Sequence, residues 1–382
     1  MTIVSNGKLI VAAIASRSYV EAAVLAGFDV VAIDAFADAD VQSLATHCYQ
    51  VVFSEGQLDR KQLFNALDDI DLRHGLTQFV GFCYGAGFEK TPNILSVINE
   101  RVTVLGNTTD VVNTCKAPAT FFGLCEKLQL PFPAVMHERP FDSHQWMSKV
   151  IGGSGGEHIR QLSDMQDKKM EDVYYQRFQP GKAISCLFIA SESSVEVVGF
   201  SELWLDSNDD SPFRYGGAVG HVELSEQVKG RFASHVVKLS QAMGLVGINS
   251  CDAIYDGDEV YLLEVNPRLS ATMGLYSGSA YSGGLLMGKH IVASQHKRHE
   301  NVIRSNGVSQ TSKAHQVVYA EHSLSVKDDI IWPEWVCDVP TLGSRFSVGM
   351  PICTVIAEAE TASLAKVMVN ERALAIKSKL LN

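Results

Sequence analysis

GINSCDAIYDGDEVYLLEVNPR, residues 247–268, places two apolar runs on either side of a polar turn centred on Gly257. Runs of this length around Asp-Gly-Asp predict a β-hairpin. A three-residue turn pairs Tyr255 with Glu259 and Asp252 with Leu262, making Asp252 and Glu264 diagonal neighbours on one face. The two-residue strand period adds Asn266 to that face. Two carboxylates and an amide oxygen are hard ligands of the kind magnesium takes when phosphate oxygens and water complete its octahedron. Arg268 lies one period further on, where a guanidinium can clamp a phosphoryl group, and Pro267 ends the ladder. An exposed hairpin with a polar outer face is the plainer alternative. It leaves unexplained why Asn266 and Arg268 bracket a proline after an apolar strand.

Upstream, QWMSKVI (145–151) reads as a strand that runs into GGSGG (152–156). Four glycines in five residues let backbone amides approach phosphates closely, and Lys149 at the strand end brings a positive charge to them. GxxxxGK[ST] occurs nowhere, which excludes a Walker loop. Between the loop and the hairpin, VYYQRFQPG (173–181) is a strand that breaks at Pro180-Gly181. Such a strand end can present backbone groups to an adenine edge while Phe178 packs nearby. Read alone, the glycine run is also an ordinary hairpin loop, and 173–181 a plain strand.

The first hundred residues alternate apolar runs with helical patterns: Leu9 to Ala15, Tyr19 to Ala26, Phe28 to Ile33, Phe79 to Cys83 and Val102 to Leu105. Parallel strands with crossover helices are predicted. Asp34 ends the second strand, where dinucleotide folds carry a ribose-binding acid, but Ala12 to Ser18 contains no glycine for a pyrophosphate turn. Residues 106–135 read as a connector and a helix with Pro118 near its start. After a polar stretch at 291–310, which includes His296, Lys297, Arg298, His299 and Glu300, short strands and a final helix from Thr361 to Leu380 follow. The polar stretch reads as a solvated basic patch rather than a metal site.

At 382 residues the chain is long enough for two or three domains, with 46% apolar residues to bury. Its net charge of −11 is dispersed, and no basic stripe is present to track nucleic acid. The eight cysteines show no CxxC and read as reduced thiols of a cytoplasmic protein. No apolar run reaches the roughly 18 residues of a membrane span. Leu9 to Ala15 superficially resembles a short signal peptide, but reads better as a buried first strand.

Lysine, glycine loop, strand with Pro-Gly, acid-bearing strand and Glu-x-Asn-x-Arg, in that order over residues 106–290, resemble the ATP-grasp superfamily. The resemblance implies a mixed α/β (α+β) fold with a Rossmann-like pre-ATP-grasp domain at 1–105 and the nucleotide- and metal-binding region at 106–290. A small C-terminal β-rich extension with a terminal helix occupies 291–382. It implies ATP as nucleotide and magnesium, or manganese in its place, as metal. Lys116 and Lys149 would contact phosphates or adenine, Gly153, Ser154 and Gly155 would close over the triphosphate, and Gln176 and Phe178 would border the adenine. Asp252, Glu264 and Asn266 match the metal ligands, and Arg268 the phosphate clamp. Arg177 stands where many members carry an acid, so the ribose contact is unassigned.

The implied reaction activates a small-molecule carboxylate as an acyl phosphate, which an amine then displaces. Arg214, in FRYGG (213–217), is the candidate for the substrate carboxylate. Within the superfamily the texture is similar to a carboxylate–amine ligase branch related to archaeal tyramine–glutamate ligase, with bacterial relatives in methanopterin-linked one-carbon metabolism. A homodimer is the expected assembly. A bicarbonate-phosphorylating, biotin-carboxylase-like enzyme, a non-catalytic ATP sensor and a Rossmann oxidoreductase are the alternatives.

Overall fold

A computed structural model describes residues 7–164, 172–277, 281, 282, 284–295, 311–327 and 330–381. The basic patch at His296 to Glu300 lies outside them.

The N-terminal strands are β1 (Lys8–Ala13), β2 (Asp29–Asp34), β3 (His47–Gln50), β4 (Phe79–Tyr84) and β5 (Val104–Leu105). All pair in parallel, in the order β3-β2-β1-β4-β5. β1 is buried from Leu9 onward, as a continuous apolar run flanked by helices should be. The first crossover helix, α1 (Arg17–Leu25), packs Tyr19, Val20 and Ala23 inward. Asp34 is not free to meet a ribose. Its carboxylate accepts from the amides of Ser16 at 2.6 Å, Phe36 at 2.7 Å and Ala37 at 2.8 Å, and so braces the turn after β1.

Where one helix was expected after residue 106, two form: α2 (Thr109–Lys116) and α3 (Pro118–Lys127). Pro118 starts the second because its missing N–H costs nothing at that position. A four-stranded antiparallel sheet follows, built from β6 (Val135–Met136), β7 (Trp146–Val150), β8 (Ile159–Gln161) and β9 (Val173–Arg177), in the order β8-β7-β9-β6.

The largest sheet has eight antiparallel strands. Five come from the middle of the chain: β10 (Lys182–Ala190), β11 (Val195–Leu205), β12 (Tyr215–Gly220), β13 (Gly247–Tyr255) and β14 (Val260–Asn266). Three come from the C-terminal part: β15 (Ser312–Tyr319), β16 (Val336–Cys337) and β17 (Pro351–Ala359). The order is β14-β13-β10-β11-β12-β15-β17-β16, so the C-terminal strands continue the central sheet from the edge of β12. The last helix, α6 (Ala362–Leu381), covers them with Ala365, Val369 and Ile376.

β10 divides its residues by parity. Ile184, Cys186 and Phe188 pack against Phe232, Val236 and Leu239 of α4 (Glu226–Met243). Leu187 and Ile189 instead join Tyr19, Val20 and Ala23 of α1 and Leu286 of α5 (Leu285–Ser294). Ser185 has the second parity and lies opposite Asp252. The candidate metal ligands therefore sit on the sheet face that meets the N-terminal strands and helices.

Candidate active site

The hairpin carrying Asp252 and Glu264 has a four-residue turn, Asp256 to Glu259, with Tyr255 paired to Val260. That register alone would set Asp252 against Leu263 and turn Glu264 to the opposite face. A bulge prevents it. The ladder steps from Ala253↔Leu262 to Asp252↔Glu264, leaving Leu263 as the extra residue. Asp252 and Glu264 are thus directly opposed, rather than diagonal as the three-residue turn implied, and Ser250↔Asn266 follows.

Hydrogen bonds fix these side chains. Ser185 Oγ donates to Asp252 Oδ1 at 2.6 Å, and Asn266 Nδ2 donates to Asp252 Oδ2 at 2.9 Å. Lys116, from the last turn of α2, donates to Glu264 Oε2 at 2.7 Å and Asn266 Oδ1 at 3.0 Å. The two carboxyls diverge in acidity. Burial and the nearby Glu264 push Asp252 up to about 6. Burial also opposes Glu264's charge, but Lys116 and then Lys149 outweigh it and hold that carboxyl well below the usual range. Lys149 is itself buried, which lowers its pKa against the pull of Glu264.

Lys149 reaches this point because β9 pairs with β7, placing Tyr174 opposite Lys149 and Gln176 opposite Met147. Alternation then puts Tyr174 and Gln176 on the same face as Lys149. The adjoining cleft is lined by Lys116, Phe122, Gly152, His158, Tyr174 and Glu264 among others. Gln176 is fully buried, yet neither its Nε2 nor its Oε1 has a hydrogen-bond partner among the described residues. Two orphaned amide atoms at such a point suit a planar ring with a donor and an acceptor on one edge. Phe178, expected beside that ring, is 40% exposed, and its N–H donates to Gln145 O at 2.6 Å.

The glycine loop is gripped on both sides. Gly155 O accepts from Tyr215 N at 2.9 Å, and a Cβ on Gly156 would overlap the Phe213 carbonyl oxygen. Across the loop, a Cβ on Gly152 would stand 2.8 Å from Lys90 Cα, and Ser154 Oγ lies 3.6 Å from the Cβ position of Gly56. Gly152, Gly155 and Gly156 all have positive φ, and Gly153 leaves room for the His158 ring.

Arg268, its side chain 10% exposed, pairs with the buried Glu89, a residue the sequence reading missed. Glu89 also accepts from the amides of Gly87 at 2.8 Å and Phe88 at 3.0 Å. Burial acts against its charge, but Arg268 and Lys116 hold it below the ordinary carboxylate range. Its signal was available, because Glu89 lies just beyond the carboxyl end of β4, where open parallel sheets build their sites. Ser185 and Tyr174 in strands and His158 in the turn after the glycine loop also join the site without having been singled out, since none of them carries a motif.

Arg214 needs correction. Its Nε and Nη2 donate to Asp206 O and Oδ1, both at 3.0 Å, and Nη1 donates to Gly349 O at 3.2 Å. The guanidinium also stacks 3.7 Å from the Tyr319 ring centre. Three of its five N–H donors are engaged and the side chain is buried, so Arg214 braces the β11–β12 connection against the C-terminal part.

Residues 120–272 match the family model of the ATP-grasp domain. Among solved structures, the chain is similar to the biotin carboxylase domain of Hydrogenobacter thermophilus 2-oxoglutarate carboxylase, with a TM-score of 0.71 and 15% identity over 94% of this chain and 87% of that one. It is also similar to an L-amino acid ligase from Bacillus licheniformis, with a TM-score of 0.69 and 12% identity over 96% of both chains. Campylobacter jejuni biotin carboxylase matches with a TM-score of 0.70 and 13% identity, over 96% of this chain and 91% of that one. The protein has the ATP-grasp fold. Among the described residues, no helix is long and apolar enough to cross a membrane.

Proposed function

We propose that the protein is an ATP- and magnesium-dependent ligase that joins a small-molecule carboxylate to an amine through an acyl phosphate. The observation that carries this reading is the direct opposition of Asp252 and Glu264, with Asn266 bonded to Asp252 and Lys116 bonded to Glu264. The structural likeness to an L-amino acid ligase supports it. Division into residues 1–105, 106–290 and 291–382 belongs to the same reading, as does a small-molecule carboxylate of the glutamate type.

Asp252, Glu264 and Asn266 fit magnesium by donor chemistry. Among the described residues no three His, Cys, Asp or Glu side chains gather into a metal cluster, so the amide, phosphate oxygens and water complete the set. When bound, magnesium supplies neutralisation of phosphate charge. Lys116 and Lys149 add fixed positive charge beside Glu264, at a buried place where it acts more strongly than in water. Gln176 would read the adenine edge with its orphaned amide. Glu89 holds Arg268 in position, and the gripped glycine loop excludes water that would hydrolyse an acyl phosphate. In the reaction a carboxylate oxygen bonds to the terminal phosphorus as the bond to ADP breaks. The amine nitrogen then bonds to the acyl carbon, phosphate leaves, and the nitrogen gives up a proton. No protein nucleophile takes part.

Likeness to biotin carboxylases over nearly the whole chain favours, as a second reading, bicarbonate as the acid that is phosphorylated. Incubation of the protein with ATP, magnesium, hydroxylamine and a panel of amino acids separates the two, because hydroxylamine traps an acyl phosphate as a hydroxamate. A hydroxamate with one acid is expected. Bicarbonate-dependent ADP release without any amino acid would sink the ligase reading.

A further inference from the structure

The last helix, α6, carries apolar side chains on two faces. Ala365, Val369, Ala373 and Ile376 are buried against the large sheet. Leu364, Val367, Leu374 and Leu381 lie on the outer side and are 48–65% exposed. With Glu371 and Ser378, also exposed, they complete a stripe at 364, 367, 371, 374, 378 and 381, spaced alternately by three and four residues. That spacing is the seam of a coiled coil. A helix that served only to cover the sheet would carry polar residues there. Beside the C-terminal end of α6, Ile331 is 82% exposed, and its carbonyl accepts from Lys379 Nζ at 3.3 Å.

The seam lies away from the candidate active site. Val219 of β12 packs in the core that α6 closes, whereas its neighbour Ala218 joins the core with α1 on the opposite face of the sheet. The candidate metal ligands belong to the α1 face, so a partner seated on α6 leaves the cleft open. Apolar surface that stays exposed and contiguous over several turns marks an interaction site. With 20 residues, α6 is about 30 Å long. Two such helices side by side, with Ile331 at the rim, bury on the order of 1,000 Å² in total, the scale at which a specific interface begins.

We propose that α6 is the contact surface of a two-fold homodimer, in which the helix packs antiparallel against its copy. The seam selects this occupant because it is nearly its own complement. A two-fold axis between residues 372 and 373 sets Leu364 against the partner's Leu381, Val367 against the partner's Ser378 and Glu371 against the partner's Leu374. Every layer then contains a leucine or a valine. Glu371 is the one charge in the stripe, and parallel packing in register would set it against its own copy. Antiparallel packing avoids that directly opposed pair, so Glu371 fixes the direction at a cost in affinity. The interface is independent of the proposed reaction.

Sedimentation equilibrium of the full chain over a range of concentrations tests this with wild type, Leu374→Glu and Glu371→Leu. Wild type should be a dimer at about 10 μM. Leu374→Glu acts twice in a two-fold interface and should raise the dimer dissociation constant by at least about 100-fold, with circular dichroism unchanged because residue 374 is exposed in the monomer. Glu371→Leu should lower that constant by at least about tenfold, a gain that a poorly folded variant would not show. For the direction, Leu364→Cys mixed with Leu381→Cys should form the mixed disulfide on mild oxidation in preference to either symmetric one. Monomeric wild type at that concentration would overturn the proposal and leave the face to a different partner, and a dissociation constant unchanged by Leu374→Glu would also overturn it. Symmetric disulfides formed in preference to the mixed one would overturn the antiparallel packing.

Discussion

Glu89 and Arg268 form a buried ion pair between elements 179 residues apart, one following β4 of the parallel sheet and the other following β14 of the large antiparallel sheet. The pair joins the two sheets at the edge of the candidate metal site. Breaking such a pair leaves an uncompensated buried charge. Glu89→Gln should therefore cost about 3–5 kcal/mol of unfolding free energy, read by urea denaturation. Glu89→Gln with Arg268→Gln should be the more stable variant, because neither charge is then stranded. If the double variant lost as much as the sum of the two single ones, the pair would not be coupled.

The Gln176 amide makes a prediction with two signs. Removing a buried, unpartnered amide relieves a desolvation cost of about 1–3 kcal/mol, so Gln176→Leu should raise the melting temperature of nucleotide-free protein. The same variant should show a smaller thermal shift with ATP. Equal shifts in variant and wild type would remove Gln176 from the adenine site.

Gly156 and Gly155 separate two functions of the loop. Both have positive φ, but a Cβ at 156 meets the Phe213 carbonyl while one at 155 meets nothing within 4 Å. Gly156→Ala should prevent the loop from seating and lower kcat by about tenfold or more, whereas Gly155→Ala should carry only the backbone cost of about 1 kcal/mol. Initial rates with saturating ATP distinguish them. Identical rates for the two variants would show that the seat on Phe213 plays no part.

Acid should loosen the junction at His290. Its Nδ1 accepts from Ile248 N at 2.9 Å, and Nε2 faces Leu105 O at 3.2 Å, linking β13 to β5. Burial lowers its pKa from 6.5 to about 4. Between those values the unfolded chain binds more protons, so stability is retained above about pH 6.5 and falls as pH drops towards 4. The linkage predicts a loss of about 2 kcal/mol between pH 7 and pH 5 from this residue. His290→Gln should flatten the denaturation profile by that amount, and an unchanged profile would contradict the assignment.

The parallel N-terminal strands, the hairpin and the final helix were legible because each rests on a local period: apolar runs, alternation, and a helical stripe. The pairing of Asp252 with Glu264 was only half legible. Sequence places both on one face, but the observed route combines a four-residue turn with a bulge at Leu263, and no residue type announces that bulge. Glu89 and Ser185 escaped because their partners are 179 and 67 residues away, separations that a strand period does not reach. Arg214 misled because arginine beside two glycines looks the same in a substrate fork as in a structural brace. Only the positions of Asp206, Gly349 and Tyr319 decide between them. The C-terminal strands read as a separate piece, since nothing local shows that β15 pairs with β12.

The central claim, that the opposed carboxylates serve phosphoryl transfer to a substrate acid, is tested most directly by comparing hydroxamate formation in wild type and Glu264→Gln. ATP, magnesium, hydroxylamine and the acid selected by the panel would be present at saturation. The amide replaces a carboxylate of nearly the same shape, so the fold should survive, checked by circular dichroism. The expected result is a rate at least about 100-fold lower in the variant, corresponding to several kcal/mol of lost charge stabilisation. Hydroxamate formed by Glu264→Gln at the wild-type rate would contradict the assignment of Asp252, Glu264 and Asn266 as the metal site.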